Sequence, residues 1–429
     1  MIHGTYDLNE FGAHGDGTTD NTSAFNLAIS KINENGGGEL IVTPGNYLTG
    51  PLKLCSNLTL TIQAGATLSF LPNPKAYPIV NSRWEGAEQL VYQACLYGYQ
   101  LKNITIQGNG VINGNGRNWW QWFHDGTLEY PRPYLLSLES CVHLKIRDLT
   151  FINSPAWTLH PMECNDVLID GVTVKNPKDS PNTDGLDPES CLNLRIVNCL
   201  FDVGDDCIAI KSGTEATACK NACENIVIAN CNMIHGHGGV VLGSEMSGDI
   251  RNVVITNCTF DHTDRGIRMK TRRGRGGTVE NITVNNITMT HTLCPLVINA
   301  YYYCGPAGDE KYVWDKSSYP VDFRTPHYRR LVFSNIIATD VQSAAGFIYG
   351  LPEAPVEDLQ VANCQFFMNP QADPSEPAMI ASAPALAHVG FFIENTLNTR
   401  LSEVTVHDQT GNIFYRQKNN QNLSTHNVQ

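Results

Sequence analysis

Four short polar clusters between residues 182 and 270 carry the residue types that acid–base chemistry uses. They supply three carboxylates, one imidazole and two cations, in the segments Asn182-Thr183-Asp184, Gly204-Asp205-Asp206, Gly236-His237-Gly238 and Arg268-Met269-Lys270. Unpaired acids away from water are costly, so such a group needs cations, a metal ion or a bound proton beside it. If the intervening segments are turns of one repeating structure, the clusters lie on neighbouring turns of a single face.

Two chemistries suit these acids. One is hydrolysis of a glycosidic bond by an acid and a base carboxylate, and the other is Ca²⁺ binding by clustered acids. Six positive charges follow in a short stretch of an acidic chain, at Arg265, Arg268, Lys270, Arg272, Arg273 and Arg275. A Ca²⁺ site gains nothing from neighbouring cations, whereas the carboxylate of a sugar acid pairs with Arg or Lys. The run therefore favours an acidic sugar, although Arg272, Arg273 and Arg275 can also be read as a solvated loop.

A degenerate repeat must position these clusters. Its unit is a polar residue, an alternating aliphatic triplet and an Asn/Gly turn, with a period of roughly 23–32 residues in the middle of the chain. Clear copies occur at residues 103–106, 143–146, 166–169, 193–196, 225–228, 252–255, 281–284 and 358–361. The strands are short and β-branched, and no Leu-rich helical half is present. The pattern predicts an all-β protein, a single right-handed parallel β-helix, with left-handed Asn corners and stacked Asn or Cys ladders.

The phase of the repeat brings two of the clusters together. Asp205 lies twelve residues after Asn193, and His237 lies twelve residues after Asn225. Adjacent turns in the same phase lie one strand spacing apart, about 4.8 Å. Asp184 and Arg268 are a few residues out of phase, which loop insertions can absorb.

We expect three parts along the chain. Residues 1–50 form an N-terminal cap, 51–415 the β-helix catalytic domain, and 416–429 a polar, frayed C-terminal tail. The cap contains a helix whose apolar face, at Phe25, Ala28, Ile29 and Ile32, covers the open end of the stack. Gly36-Gly37-Gly38 ends that helix.

Three insertions interrupt the repeat, at residues 113–134, 300–328 and 368–390. The first two are rich in aromatic residues, with Trp119, Trp120 and Trp122 in one and Tyr301, Tyr302, Tyr303 and Trp314 in the other. Insertions in a solenoid map to loops on one face, often the binding face. We therefore expect the aromatic insertions to form walls of a cleft, the alternative being that the rings only pack the loops down.

Composition limits the partners. The formal net charge of −13 argues against non-specific binding to nucleic acid or anionic membrane, and no apolar run approaches the length of about 20 residues of a membrane span. The N-terminus lacks the features of a secretory signal, which favours a cytoplasmic protein unless a leader has been removed. Many of the fourteen cysteines suit buried repeat positions, as at Cys199, Cys231, Cys258 and Cys364, and the spacing of Cys219 and Cys223 allows a local disulfide.

The order of the four motifs resembles the polygalacturonase family, family 28 of the glycoside hydrolases. Arg132-Pro133-Tyr134, the stretch from Ser154 to His160 and the stretch from Phe11 to Gly17 are similar to that family too, so the resemblance covers roughly residues 6–410. It implies a right-handed β-helix and metal-free, inverting hydrolysis of α-1,4-galacturonic linkages in pectin. No cofactor or metal is expected, and the partner is a galacturonic-acid-containing poly- or oligosaccharide.

The resemblance also implies roles for individual residues. Asp205 is the general acid, Asp184 and Asp206 activate the attacking water, and the acid and base lie about 6.5–9.5 Å apart. His237 bonds near the acid and helps to set its protonation. Substrate binding falls to Arg268 and Lys270 on the galacturonate carboxylate, together with Asn182, which orients the first loop, His160, Tyr301 and Tyr302. Met269 replaces the family's usual Ile, and its side chain should point inward.

Subtype and rival classes remain open at this point. An exo-acting enzyme on oligogalacturonides is favoured over an endo-polygalacturonase, and the retained His and Arg-x-Lys argue against a rhamnogalacturonan hydrolase. A Ca²⁺-dependent pectate lyase shares the fold but would form unsaturated products and lose activity in chelator. A non-catalytic β-helical binding module would release no reducing sugar and would tolerate Asp205→Asn.

Overall fold

Parallel strand pairing dominates the computed structural model, which describes residues 4–305 and 307–429. The chain divides into two units, one ending at Asp205 and one running from Asp206 to Gln429. Both are built from coils of the predicted right-handed parallel β-helix, which confirms the all-β fold class. No helix among the described residues has the length and apolar character that crossing a membrane requires.

The helices of the first unit are α1 (Thr22–Glu34) and α2 (Arg117–His124). Its strands are β1 (Gly4–Asp7), β2 (Asp16–Asp20), β3 (Gly38–Val42), β4 (Gly45–Thr49), β5 (Leu52–Lys53), β6 (Leu58–Ile62), β7 (Ala66–Phe70), β8 (Ile79–Trp84), β9 (Ala87–Tyr92), β10 (Leu96–Tyr99), β11 (Lys102–Gln107), β12 (Val111–Asn113), β13 (Leu136–Glu139), β14 (Val142–Arg147), β15 (Thr150–Ile152), β16 (Leu159–Met162), β17 (Asn165–Asp170), β18 (Thr173–Lys175), β19 (Leu192–Val197) and β20 (Leu200–Val203).

Three stacks of parallel strands form the first unit. One runs β3, β6, β11, β14, β17, β19, a second runs β4, β7, β12, β15, β18, β20, and a third runs β5, β10, β13, β16. Alternate side chains point inward, so one buried ladder joins Leu60, Ile106, Ile146, Ile169 and Ile196 in register. Burying each such side chain contributes about 1.5–3 kcal/mol.

The second unit contains α3 (Lys311–Trp314). Its strands are β21 (Ile208–Ile210), β22 (Cys223–Ala229), β23 (Asn232–His235), β24 (Val240–Gly243), β25 (Ile250–Asp261), β26 (Arg265–Lys270), β27 (Thr278–Thr290), β28 (Cys294–Asn299), β29 (His327–Val341), β30 (Ala344–Tyr349), β31 (Val356–Met368), β32 (Val389–Leu397), β33 (Arg400–His407), β34 (Phe414–Gln421) and β35 (Ser424–Val428).

Two long series of parallel strands build the second unit. One runs β22, β25, β27, β29, β31, β33, β35, and the other runs β21, β24, β26, β28, β30, β32, β34. The core ladder of the first series passes through Ile228, Ile255, Val284, Phe333 and Val361, all buried. Each series directs apolar side chains toward this core.

Asparagine and cysteine occupy the predicted repeat positions. Asn252 adopts φ 55° and accepts a hydrogen bond from Asn281 Nδ2 at 2.9 Å, while its own amide donates to Asn225 at 3.1 Å. Cys199, Cys231, Cys258 and Cys364 are buried, and each thiol donates to the backbone carbonyl two residues earlier. All fourteen cysteines lie in the described part and are present as thiols, so no disulfide joins Cys219 to Cys223.

The two ends differ from the predicted boundaries. Helix α1 buries its predicted apolar face, but β1–β4 already pair with one another and with β6 and β7, so residues 4–49 also form the first coil. The tail predicted to fray instead forms β34 and β35, which pair in parallel with β32 and β33. Most of its side chains are exposed and most are polar, which is why composition alone suggested disorder.

The insertions form loops with little regular structure. Residues 113–134 include α2, where Trp119 is completely buried against Tyr77, Tyr92 and Trp122. A further antiparallel hairpin, β8–β9, belongs to no predicted repeat. Residues 300–328 contain α3, and 368–390 run from the last residue of β31 to the first residues of β32.

Candidate active site

Two acidic side chains of the first unit lie close together. Asp184 is 4% exposed and Asp205 is partly exposed, and one carboxylate oxygen of each lies within 4.8 Å of the other. Asp205 is the last residue of this unit and follows Gly204, whose position admits no side chain because a Cβ would lie 2.6 Å from the Pro177 carbonyl. A tight approach of two backbones therefore places Asp205.

Hydrogen bonds fix the loop that carries Asp184. The buried amide of Asn176 donates to the Thr158 hydroxyl at 2.9 Å and to the Thr183 carbonyl at 3.1 Å. The backbone N–H of Thr158 donates to the carbonyl of Asp184 at 2.9 Å. The residue before Asp184 is thus held through its main chain, which limits the movement of the carboxylate.

A buried arginine supports the same loop. Arg132 is 1% exposed and donates to the carbonyls of Pro155 at 2.9 Å and Pro181 at 2.7 Å, and to Oδ1 of Asn182 at 2.6 Å. Asn182 has φ 50°, a conformation that asparagine tolerates better than most residues. Burial lowers the pKa of the Arg132 guanidinium to about 10, and the charges of Asp184 and Asp205 act in the opposite direction, so it stays charged at neutral pH. Arg132 therefore holds the start of the loop that carries Asp184.

The second unit begins with a carboxylate between two cations. Asp206 Oδ2 accepts from Lys270 Nζ at 2.7 Å, and Oδ1 accepts from Arg268 Nη1 at 3.3 Å. All three side chains are at most 9% exposed. Lys270 and Arg268 lie on β26, and the intervening Met269 is fully buried, as its predicted inward direction requires.

A glycine makes room for this cluster. A Cβ on Gly238 would lie 2.4 Å from Val241 Cγ2, 3.1 Å from Asp206 Oδ1 and 3.5 Å from Arg268 Cδ. The preceding His237 is exposed and is flanked by Gly236 at φ 81°. The Gly-His-Gly motif thus combines an accessible imidazole with a bare backbone beside the carboxylate.

Charge decides the protonation of Asp206. Burial alone would raise the pKa of its carboxyl, but the charges of Lys270 and Arg268 outweigh burial and hold the pKa well below its usual range. For Lys270, burial and Arg268 lower the pKa, yet the attraction of Asp206 prevails and leaves it raised. Both groups are therefore ionised across the neutral and mildly acidic range.

A second buried ion pair lies in the same unit. Lys211 Nζ donates to Glu245 Oε2 at 3.3 Å, and both residues are less than 10% exposed. Burial would raise the pKa of Glu245, but Lys211, Arg275 and Lys270 lower it to about 2. Neither residue was predicted from the sequence. For Lys211 the available signal was a charged residue directly after an apolar strand, in Ile208-Ala209-Ile210-Lys211.

The third insertion, not one of the aromatic pair, covers the cations. Arg268 Nη2 donates to Met379 Sδ at 3.1 Å, a weak acceptor, and Arg265 donates to the carbonyls of Glu376 and Pro377 at 2.7 and 3.2 Å. The ring of Tyr302 lies 5.5 Å from the Arg268 guanidinium and 5.2 Å from Lys270 Nζ. Of the predicted tyrosines, Tyr302 therefore lies beside the cations.

Two predicted substrate-binding residues are misplaced. His160 has no exposed surface, because it lies on β16 with Nε2 3.2 Å from Glu189 Oε2 and its ring against Tyr134 and Trp157. Tyr301 is also fully buried, with its ring 4.6 Å from that of Tyr349. Direct contact with a substrate was the wrong prediction for both, since neither side chain is exposed.

The arginines that follow Lys270 do not form a solvated loop. Arg272, Arg273 and Arg275 are at most 6% exposed. Arg273 binds both oxygens of Glu353 and the carbonyls of Tyr312, Asp315 and Ser317. Arg272 binds the Cys304 carbonyl at 2.8 Å and Glu215. These side chains anchor the second insertion, so their role is structural.

A divalent cation has a limited choice of ligands here. In the first unit, Asp184 and Asp205 together offer carboxylate oxygens close enough to share one ion. In the second unit, Asp206 is already neutralised by Arg268 and Lys270. The donor set suits a hard cation poorly because positive charge already occupies the neighbourhood of one of the three acids.

Parallel β-helix coils that carry paired acids and buried cations define a β-helical glycoside hydrolase. The model of glycosyl hydrolases family 28 matches residues 37–311, and the chain belongs to this family. A probable polygalacturonase of Vitis vinifera is 36% identical over 368 residues, which are 83% of this chain and 73% of that protein.

Solved structures agree with the assignment. An exopolygalacturonase of Thermotoga maritima matches with a TM-score of 0.81 and 29% identity, covering 95% of this chain and 92% of that one. A family 28 exopolygalacturonase of Yersinia enterocolitica matches with a TM-score of 0.80 and 21% identity, covering 99% and 78%, which bears on the fold alone.

Proposed function

We propose that the protein hydrolyses α-1,4-galacturonosidic linkages in polygalacturonate or its oligomers. Family membership and the similarity to polygalacturonases support the substrate class. The observation that carries the proposal within the structure is the pairing of a single carboxylate, Asp206, with the two cations Arg268 and Lys270. Arg268 and Lys270 can also pair with the carboxylate of a galacturonate, and one amino group of Arg268 donates to Met379 Sδ, a weak acceptor that a carboxylate oxygen can replace.

We assign a different role in proton transfer to each acid. Asp206 is kept ionised by its cations, which suits it to activate water as a base and not to donate a proton. Asp205, its neighbour in sequence, is assigned as the general acid that protonates the leaving oxygen. Asp184, held by its loop close to Asp205, assists the base, and the exposed His237 is assigned to help set the protonation of the acid.

The substrate carboxylate is assigned to the cations. Arg268 directs one amino group to Asp206 and the other to the Met379 thioether, so the second group gains by exchanging sulfur for a carboxylate oxygen. Tyr302 lies over both cations and offers a ring face to the adjoining sugar. Binding in this manner displaces Met379 and leaves the Asp206–Lys270 bond in place.

Inversion is the expected stereochemistry, and it can be compared with the distance between the acids. Inverting glycosidases separate their carboxyl groups by about 6.5–9.5 Å, whereas retaining enzymes use about 5–5.5 Å. One carboxylate oxygen of Asp184 and one of Asp205 lie within 4.8 Å of each other, which is shorter than the separation of about 6.5–9.5 Å that the family resemblance implied for the acid and base of an inverting enzyme. Nuclear magnetic resonance of the first product formed from trigalacturonate decides: the β-anomer supports inversion, and the α-anomer establishes retention.

An exo mode of action is supported by two observations. The similar Thermotoga maritima structure is that of an exopolygalacturonase. In the second unit, Met379 and its neighbours cover Arg268 and Arg265, which obstructs a long chain on that side of the cations. Product sizes test the mode: early monomer or dimer with slow loss of viscosity supports exo action, and a ladder of sizes with rapid loss of viscosity establishes endo action.

The experiment for the activity itself is incubation with polygalacturonate and with defined oligogalacturonides. Reducing sugar should accumulate without absorbance from unsaturated products. Unsaturated products would establish a lyase, and the absence of any products from either substrate would leave a binding module as the better interpretation.

A further inference from the structure

Helix α2 borders a cavity of about 770 Å³ in the first unit that the proposed chemistry does not use. Arg117, Trp120, Gln121 and His124 line one wall, and their spacing of three, four and seven residues places them on one helical face. The opposite wall is the segment from Pro177 to Pro181. The volume lies within the usual range of small-ligand pockets, about 300–1,000 Å³.

The helix is a rigid wall. Its Trp119 is completely buried, and Trp120 Nε1 donates to the Ser154 carbonyl at 2.9 Å. The backbone at Gly116 approaches so closely that a Cβ would lie 2.5 Å from that same Ser154 carbonyl. The face that lines the cavity is therefore preorganised, which lowers the cost of binding a ligand.

The lining chemistry suits an acidic sugar. Arg117 is exposed, and no acidic side chain in the described chain forms an ion pair with it, so its charge is available to a carboxylate. Asn115, Asn118 and Gln121 offer amides to hydroxyl groups, and Trp120 offers an apolar surface. The lining contains one acidic residue, Asp179, together with the cation of Arg117 and the titratable ring of His124.

The cavity is joined directly to the loop that carries Asp184. Its wall residues Ser180 and Pro181 immediately precede Asn182. Arg132 binds the Pro181 carbonyl and Asn182, and its guanidinium lies 4.0 Å from the centre of the Phe123 ring on α2. One buried arginine therefore connects the helix, the far wall of the cavity and the catalytic loop.

We propose that this cavity is a subsite for a further galacturonate residue of the chain being cleaved, with Arg117 as the partner of its carboxylate. The proposal rests on the proposed function and deepens it, because it assigns to the helix α2 insertion a preference for chain length. Substrates too short to reach the cavity gain nothing from it, and longer ones gain one charge-assisted contact.

The test measures kcat/KM for galacturonate oligomers from two to five units with wild type, Arg117→Gln and Arg117→Lys. The loss in Arg117→Gln should grow with length, from little for the dimer to about tenfold for the longest oligomer. Arg117→Lys should recover part of it. The matched control is Arg147→Gln, a partly exposed arginine of β14 outside the cavity, which should behave as wild type.

Two outcomes overturn the subsite. Equal kcat/KM values for wild type and Arg117→Gln at every length remove it, and an equal loss at every length assigns Arg117 to the cleavage centre or the fold. If wild type cleaves no oligomer, the proposed function fails, and calorimetric titration with pentagalacturonate judges the cavity separately. Weaker binding by Arg117→Gln than by wild type then supports the subsite, whereas equal binding, or no binding by wild type, overturns it.

Discussion

The two units each contain a buried arginine close to an acidic residue of the proposed site, but the two arginines bind different kinds of oxygen. In the first unit, the hydrogen bonds of Arg132 all go to uncharged oxygens, two carbonyls and the Asn182 amide, and it supports Asp184 through the loop. In the second unit, Arg268 binds the carboxylate of Asp206 itself. Loss of Arg132 should therefore disturb geometry, and loss of Arg268 or its neighbour Lys270 should disturb protonation.

This difference matters because an acid–base pair needs its two members in opposite protonation states. A cation bound directly to a carboxylate fixes that group as ionised, which suits Asp206 and excludes it as the proton donor. A cation that orients a loop through neutral oxygens imposes much less on the titration of the acids nearby. The role of proton donor is therefore proposed for Asp205.

The largest expected effect comes from removing that donor. Asp205→Asn should lower kcat by a factor on the order of 10² or more, because general acid catalysis contributes about 10²–10⁴-fold. The control is Asp358→Asn at an exposed corner of β31, which should keep wild-type kcat and a similar melting temperature. A substrate with an activated leaving group needs no protonation and should recover much of the loss. Failure of that recovery would assign Asp205 to another role.

The next effect tests the charge control of Asp206. In Lys270→Met, the remaining burial should raise the pKa of Asp206, so the acidic limb of the kcat/KM profile should move to higher pH by about one unit or more. The matched control is Lys211→Met, which breaks the ion pair with Glu245 and should leave a smaller shift. An unmoved limb in Lys270→Met would mean that Lys270 serves the substrate alone.

The ion pair of Asp206 and Lys270 should also make the free energy of unfolding depend on pH. The pKa of Asp206 is lowered on folding, so its contribution is present above the ordinary value of 3.8 and is lost as pH falls through the lower folded pKa. The pKa of Lys270 is raised from 10.5, so its contribution is present below that value and is lost as pH rises through the folded pKa. Between these limits, Lys270→Met should lower the free energy of unfolding by about 3–5 kcal/mol in denaturant titrations, since it leaves a buried charge less well paired.

A smaller effect, of a different kind, is expected for Arg132. Arg132→Met should lower kcat about tenfold without moving the acidic limb, because Asp184 loses its fixed position while Asp206 keeps its cations. Arg132→Lys should recover little, since an ammonium group cannot reach three oxygens in a planar arrangement. If Arg132→Met moved the limb as far as Lys270→Met does, the contrast between the two units would be lost.

The fold could be predicted from the sequence because every coil of a parallel β-helix uses the same pattern of strand and corner residues. Each triplet with its Asn corner is a strand with a left-handed corner residue, as at Asn193 and Asn252. The frayed tail was mispredicted because β34 and β35 are as polar as a disordered segment, and only pairing with the preceding coil distinguishes them. Hairpin β8–β9 lies outside the repeat and could not be found by looking for the repeat's period.

The candidate site was readable in its motif residues and less so in their surroundings. The Arg-x-Lys alternation places two cations on one side of β26 because a strand alternates its side chains. His160 and Tyr301 failed because a polar or aromatic residue beside a motif also suits an interior position. Met379 lies 111 residues after Arg268, and no local pattern connects an insertion with the coil that it covers.

The smallest expected effect is that of metal removal. It concerns a second difference between the units, the availability of their acids to a divalent cation. Asp184 and Asp205 are close enough to share a divalent cation, whereas Asp206 already has its charge matched by Arg268 and Lys270. If catalysis needs only these protein charges, dialysis against chelator should leave kcat/KM for trigalacturonate unchanged, and added Ca²⁺ should not raise it. A loss of activity in chelator that Ca²⁺ restores would show that the acids of the first unit work as metal ligands. The general acid assigned to Asp205 would then have to be sought elsewhere.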